Sequence, residues 1–295
     1  MVAKIIDGKL ISRTVRSEIA AGVVRLKAEH NITPGLAVVL VGDDPASAVY
    51  VRSKQKAATE AGMYARDVRL KSSVSQRELM GQIDVINNDE RIHGVLVQLP
   101  LPEHIEKEDL MESLNPLKDV DGLHPSNMGR LVEGRPRFVP ATPAGIQELL
   151  ARSGYDPEGK HVVVCGRSEI VGKPISLLLM QRRKGANATV TVCHTRTVNL
   201  PSITSQADIL VAAIGRPEFV KADMVKEGVV VVDVGVNRVV DRNSKRGYRL
   251  VGDVDFGPVS AVASAITPVP GGVGPMTITM LLDNTLKAAR LSVLD

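Results

Sequence analysis

Short apolar runs recur along this chain, separated by stretches whose apolar positions fall three and four residues apart. The runs Leu36–Val41, Val68–Leu70, Gly94–Gln98, His161–Cys165, Thr189–Cys193, Ile209–Ala213 and Val229–Val234 are rich in Val, Ile and Leu. Nearly continuous apolar character of this kind predicts strands covered on both faces. Between them, Ser12–Glu29, Ser47–Ala61, Ser75–Asn87, Pro143–Arg152 and Lys173–Gln181 carry helical spacing. Strand and helix in alternation predict a doubly wound parallel α/β architecture. Turn residues and prolines crowd Val120–Pro143, and a fresh series of strands begins after Gly159. The last stretch, Met276–Leu294, again reads as a helix. The expected division is therefore discontinuous: residues 1–139 with a returning helix at 276–295, and residues 140–275 as a second domain.

Composition narrows the class. The 295 residues are 44% hydrophobic, enough for a large packed core, and no apolar run reaches the length of a membrane span. The start, Met-Val-Ala-Lys-Ile-Ile-Asp, lacks the apolar h-region of a secretory signal, so a cytoplasmic protein is expected. Cys165 and Cys193 each end an apolar run and read as small core side chains. The net charge of +4 raises the question of nucleic acid, but four Tyr, three Phe and no Trp leave few stacking platforms, and the basic residues are dispersed. A small anionic ligand fits better.

His161-Val-Val-Val-Cys165 followed by Gly166-Arg-Ser-Glu-Ile-Val-Gly172 and a helix beginning near Lys173 has the order of a pyrophosphate cradle. The match to G-x-G-x-x-G is imperfect, because Ser168 takes the second glycine position and the closing glycine comes one residue late. A plain strand-to-helix turn is the alternative. A domain selecting NAD carries an acid near the end of the second strand, whereas that strand here runs into Cys193-His-Thr-Arg196. Arg167, Ser168, Thr195 and Arg196 suit the extra phosphate of NADP instead. Ala212-Ala-Ile-Gly-Arg216 and Asp233-Val-Gly-Val-Asn237 place turns after two further strands, where ligands lie in such sheets.

In the first half, Tyr50 and Lys54 share one helix face, one turn apart. A solvated pair is the bland alternative. The strand ending in Gln98, followed by Leu99-Pro-Leu-Pro102, brings a neutral amide to the carboxyl end of the sheet, where it could bond a lysine without pairing its charge. Asp119 and Asp121 in Lys118-Asp-Val-Asp-Gly122 lack the further acids of a metal site; one of them as acceptor for the N–H groups of a heterocycle is favoured, and no metal is expected. His124 and His194 stand alone and suit turn contacts. Thr267-Pro-Val-Pro-Gly-Gly-Val-Gly-Pro-Met-Thr277 holds three glycines and three prolines, a composition that lets backbone approach a ligand closely.

Taken in order, Tyr-x-x-x-Lys, Val-Gln-Leu-Pro-Leu-Pro, Asp-Val-Asp-Gly, Gly-Arg-Ser-x-x-Val-Gly-x-Pro and Pro-Val-Pro-Gly-Gly-Val-Gly-Pro-Met-Thr resemble the bifunctional methylenetetrahydrofolate dehydrogenase/cyclohydrolase family, in its stand-alone bacterial-type form. The resemblance implies an N-terminal α/β folate domain and a Rossmann-like NADP-binding domain with a cleft between them, and a homodimer. It implies NADP-dependent oxidation of methylenetetrahydrofolate to the methenyl cation, then hydrolysis to formyltetrahydrofolate. By the same resemblance Lys54 is the proton carrier, Tyr50 packs on the folate, Gln98 tunes Lys54 and Asp121 anchors the pterin ring. Leu99, Pro100, Pro270, Gly271 and Gly272 would line the folate site. Gly166, Arg167, Ser168, Thr195, Arg196, Ala213, Ile214, Gly215, Val236, Gly274 and Thr277 would lie along the cofactor. Ala141 and Cys165 depart from the family pattern, away from the implied chemistry. A short-chain-type NADP oxidoreductase also carries Tyr-x-x-x-Lys, but with its glycine turn before that pair; here the order is reversed. An inactive folate- or NADP-binding module is the alternative from another class.

Overall fold

The computed structural model describes residues 2–242, 244 and 247–294. The strands, in chain order, are β1 (Lys4–Ile5), β2 (Gly35–Val41), β3 (Tyr64–Leu70), β4 (Gly94–Val97), β5 (His161–Cys165), β6 (Thr189–Cys193), β7 (Ile209–Ala212), β8 (Val230–Asp233), β9 (Asn237–Val240), β10 (Tyr248–Val251) and β11 (Ala265–Ile266). The chain divides into two compact units, Arg13–Ala141 with Ile278–Asp295, and Met1–Ser12 with Thr142–Thr277.

The first unit is built on a parallel three-stranded sheet ordered β3-β2-β4. Every residue of the central strand β2 is buried, as its unbroken aliphatic sequence requires. The edge strand β3 buries only Val68 and carries Arg66, Asp67 and Arg69. It runs the full length of β2, pairing Gly35 with Tyr64 through Val41 with Leu70, so the strand is four residues longer than its apolar run suggests. The helix Pro45–Glu60 starts where Asp44 accepts from the Ser47 amide (2.7 Å), with Pro45 in the first turn. The helix Gln76–Asn87 opens on a capping box between Ser75 and Glu78 and buries Leu79, Ile83 and Ile86 beside Val39, Val95 and Val97.

The second unit carries a parallel six-stranded sheet ordered β1-β11-β8-β7-β5-β6, and a separate antiparallel pair, β9 and β10. Val162, Val163, Val164, Leu210, Val211, Val231 and Val232 are fully buried at its centre. The doubly wound expectation thus fits this unit. The expected boundaries differ at the N-terminus, because β1 pairs Lys4 with Ala265 and Ile5 with Ile266, and the Ile6 amide donates to the Ile266 carbonyl at 2.9 Å. The C-terminal helix spans Val273–Leu291, so Gly274 and Pro275 fall in its first turn, where proline needs no amide partner. Among the described residues, no helix is long and apolar enough to cross a membrane.

Candidate active site

In the first unit, Lys54 lies on the helix Pro45–Glu60 and Gln98 follows β4. Lys54 Nζ donates to Gln98 Oε1 at 2.8 Å. Two further bonds hold the amide in that sense: Gln98 Nε2 donates to the Leu99 carbonyl (2.7 Å), and the Gln98 backbone amide donates to Val39 (2.8 Å). The Leu99–Pro100 peptide is cis. Burial lowers the Lys54 pKa from that of a free lysine, while the nearby Asp121 carboxylate pulls it back up. Asp121 responds in kind: burial pushes its carboxyl up to about 6, opposed by Lys54 and reinforced by Asp119. Lys54 and Asp121 therefore form an electrostatically coupled pair, each shifted by burial toward its neutral form, with Gln98 as the uncharged hydrogen-bond partner of the lysine. Tyr50 stands one helical turn before Lys54 and is 49% exposed.

Asp119 does different work from Asp121. It is 1% exposed, and its Oδ2 accepts from the His124 amide and from Asn127 Nδ2, both at 2.8 Å, which shapes the turn that presents Asp121. Gly122 completes that turn at φ +73°. His124 caps the next helix by accepting from the Ser126 amide at 3.0 Å, a turn contact as expected.

In the second unit, Gly166 follows β5 at φ +136°, and a Cβ there would lie 2.1 Å from the Ala213 carbonyl oxygen. Ser168 occupies the second glycine position because its hydroxyl is used locally: Oγ accepts from the amides of Val171 and Gly172, both at 3.3 Å, at the start of the helix Gly172–Leu179. The late glycine, Gly172, allows the helix to approach the turn, since a Cβ there would fall 2.2 Å from the Gly166 oxygen. Above this turn opens a cavity of about 360 Å³ lined by Gly166, Arg167, Ser168, Thr195, Ala213 and Ile214. Spacing and motif did not single out Thr197, Leu200 and Phe219, which stand in its wall with His194 and with Arg216 of the turn after β7; the Arg216 guanidinium lies 5.4 Å from the centre of the Phe219 ring. Cys165 and Cys193, register partners on β5 and β6, form the floor, and burial pushes the Cys165 thiol up to about 12. They are inert core residues.

Other residues expected along the cofactor stand outside this wall. Arg196 is exposed and its amide donates to His194 Nδ1 (3.1 Å); Val236 is 48% exposed after β8; Gly274 is exposed in the last helix. Gly215 turns its amide away, and Thr277 Oγ1 bonds Thr142 Oγ1 at 2.9 Å. The loop Thr267–Gly272 belongs to this unit and is tied to it. Thr267 Oγ1 accepts from the Asp233 amide (2.7 Å), the Lys9 amide donates to the Gly271 carbonyl (3.1 Å), and a Cβ on Gly8 would meet the Gly272 oxygen at 1.8 Å. Val269–Pro270 is cis and Gly271 adopts φ +118°. Part of the glycine content thus serves close backbone packing within the loop's own unit.

A parallel sheet with a glycine turn, a helix N-terminus and a cation-bearing cavity at its carboxyl edge defines a dinucleotide-binding α/β protein. Two family models refine this: residues 6–121 match the tetrahydrofolate dehydrogenase/cyclohydrolase catalytic domain, and residues 140–293 match the NAD(P)-binding domain of the same family. The chain belongs to the tetrahydrofolate dehydrogenase/cyclohydrolase family. It is 53% identical to the bifunctional protein FolD of Pelobacter propionicus over 98% of each chain, and 54% identical to that of Streptococcus agalactiae over 99% of each. Among solved structures, it superposes on the bifunctional FolD enzyme of Campylobacter jejuni with a TM-score of 0.92 at 47% identity, covering 98% of this chain and 99% of that one. The Trypanosoma brucei FolD, complexed with NADP cofactor and inhibitor, gives 0.94 at 40% identity over the whole of both chains.

Proposed function

We propose that Lys54 carries the proton in the hydrolytic half of a two-step reaction. The chain is a bifunctional enzyme that oxidises methylenetetrahydrofolate with NADP and hydrolyses the methenyl product to formyltetrahydrofolate. NADP supplies the hydride acceptor for the first step. Arg167, Ser168 and Thr195 hold its phosphates, and the lack of an acid at the end of β6 favours the phosphorylated ribose. The cavity's cation and hydroxyls match that donor demand.

In hydrolysis, water adds to the methenyl carbon and one bridged nitrogen must leave with a proton. Lys54 in its neutral form takes one proton from the attacking water and returns it to the departing nitrogen, while the second water proton leaves to solvent as the formyl carbonyl forms and the C–N bond breaks. The observation that carries this reading is the 2.8 Å bond from Lys54 to a neutral amide: Gln98 orients the ammonium without a formal charge to lock it in place. Asp121 accepts from the pterin N–H groups, Tyr50 packs on the ring, and Leu99 and Pro100 border it. We further propose that the enzyme is a cytoplasmic homodimer.

Lys54→Met tests the assignment. Loss of general acid–base catalysis lowers methenyl hydrolysis by about 10²–10⁴-fold, whereas hydride transfer, which needs no proton carrier, falls far less. Equal loss of both activities with folding intact refutes the role. Sedimentation at micromolar concentration tests the dimer.

A further inference from the structure

Two buried carboxyl groups take no part in the reaction above. Asp253 is 0% exposed and Asp233 is 3% exposed, and both sit at the carboxyl edge of the six-stranded sheet. Asp253 Oδ2 accepts from the amides of Ile214 (2.6 Å) and Gly215 (2.8 Å), and its Oδ1 accepts from Asn237 Nδ2 (2.9 Å). It thereby ties the turn after β7 to the segment after β8. Asp233 holds Asp253 in turn: its Oδ1 accepts from the Asp253 and Gly235 amides (2.9 and 3.0 Å), and its Oδ2 from the Val254 amide (3.0 Å). The neighbouring glycines leave room for this arrangement alone. A Cβ on Gly252 would fall 1.7 Å from Asp233 Oδ2, and one on Gly235 would fall 2.2 Å from Asp253 Oδ1.

Ile214 and Arg216 line the cavity over the Gly166 turn, and Gly215 between them is exposed at φ +73°. A turn of this kind has little burial of its own to define it. Its shape comes from the two amide bonds to a carboxylate that itself cannot move. We infer that Asp253 is a positioning residue for NADP: it presets the Ile214–Gly215 turn in the geometry the cofactor needs, without touching the cofactor. This rests on the assignment of the cavity to NADP. A turn released from Asp253 samples other conformations, and apparent affinity falls by the fraction of molecules in the competent one. The consequence is a raised KM for NADP with little change in kcat once the cofactor saturates.

The test compares wild type, Asp253→Asn, Asn237→Ala and Arg167→Ala by NADPH fluorescence titration, by dehydrogenase kinetics, and by hydrogen exchange at the Ile214 and Gly215 amides. Asp253→Asn is expected to weaken NADPH binding about tenfold, to speed exchange at both amides, and to leave the dehydrogenase kcat within about twofold. Asn237→Ala leaves the carboxylate in place but frees one oxygen, so a smaller, several-fold weakening is expected; it serves alone if Asp253→Asn does not fold. Unchanged binding and exchange in these variants, with binding weakened in Arg167→Ala, overturns the positioning role while leaving the cofactor site intact. Unchanged binding in Arg167→Ala as well removes NADP from this cavity and the inference with it. A fall in kcat at unchanged KM would also overturn it, because a preset binding turn acts on affinity.

Discussion

Gln98→Glu keeps the size of the side chain, adds a formal charge beside Lys54, and removes the Nε2 donor that bonds the Leu99 carbonyl at 2.7 Å. The side chain then places a formal negative charge 2.8 Å from Lys54 Nζ. The attraction between unit charges at that distance is about 6 kcal/mol at an effective dielectric of 20 and about 1.5 kcal/mol in bulk water. At 1.36 kcal/mol per unit, the Lys54 pKa rises by between about one and four units. Burial at present lowers that pKa, and the added charge opposes that shift, favouring the charged lysine. The assay is methenyl hydrolysis followed spectroscopically from pH 6 to 9.5. In the variant, the limb that rises with lysine deprotonation moves to higher pH by at least about one unit, and the rate at neutral pH falls at least about tenfold. Hydride transfer at the same pH is reduced much less. A limb that stays in place would refute the idea that a neutral lysine, tuned by a neutral amide, performs the proton transfer.

The other expectations are simpler to state. Burial and the neighbouring Asp253 push the Asp233 carboxyl from an ordinary 3.8 to about 7, against three amide bonds that favour its charged form. Between those values the folded chain binds a proton that the unfolded chain has lost, so this group's stabilising contribution is fully present below about pH 4 and is lost as pH rises from there to about 7. Urea unfolding of wild type and Asp233→Asn should show their stability difference shifting by about 2 kcal/mol between pH 5 and pH 7; an equal difference at both pH values would contradict the shift. Arg167 lines the cavity and Arg196 does not, so Arg167→Glu should lower the NADP-to-NAD preference at least about tenfold and Arg196→Glu much less. Equal effects in kcat/KM measured with each cofactor would place Arg196 at the ribose phosphate beside Arg167.

Local sequence already determines a great deal of this molecule. Strands covered on both faces must be apolar throughout, which made β2, β4, β5, β7 and β8 readable as runs, and the helical spacing over Ser75–Asn87 marked a helix that the structure keeps. Tyr50 and Lys54 share a face because helical periodicity leaves no choice, and the amide of Gln98 comes at the end of β4 because Pro100 and Pro102 cannot continue the ladder. Such features depend on neighbours within about a turn or a strand. Tertiary structure decided the rest, where partners are remote in the chain. The two-residue strand β1 exists only because β11 lies beside it, some 260 residues on, and this assigns the first residues to the second unit. The length of β3 is set by pairing with β2 rather than by its own polar sequence. The same holds for function. The bond between Lys54 and Gln98 spans 44 positions, and the grip of Asp253 on Ile214 spans 39. Burial decides that Asp121 titrates near 6 and that Asp119 serves the turn. Periodicity records which side of an element faces inward; which remote group waits there is settled only when the sheets assemble.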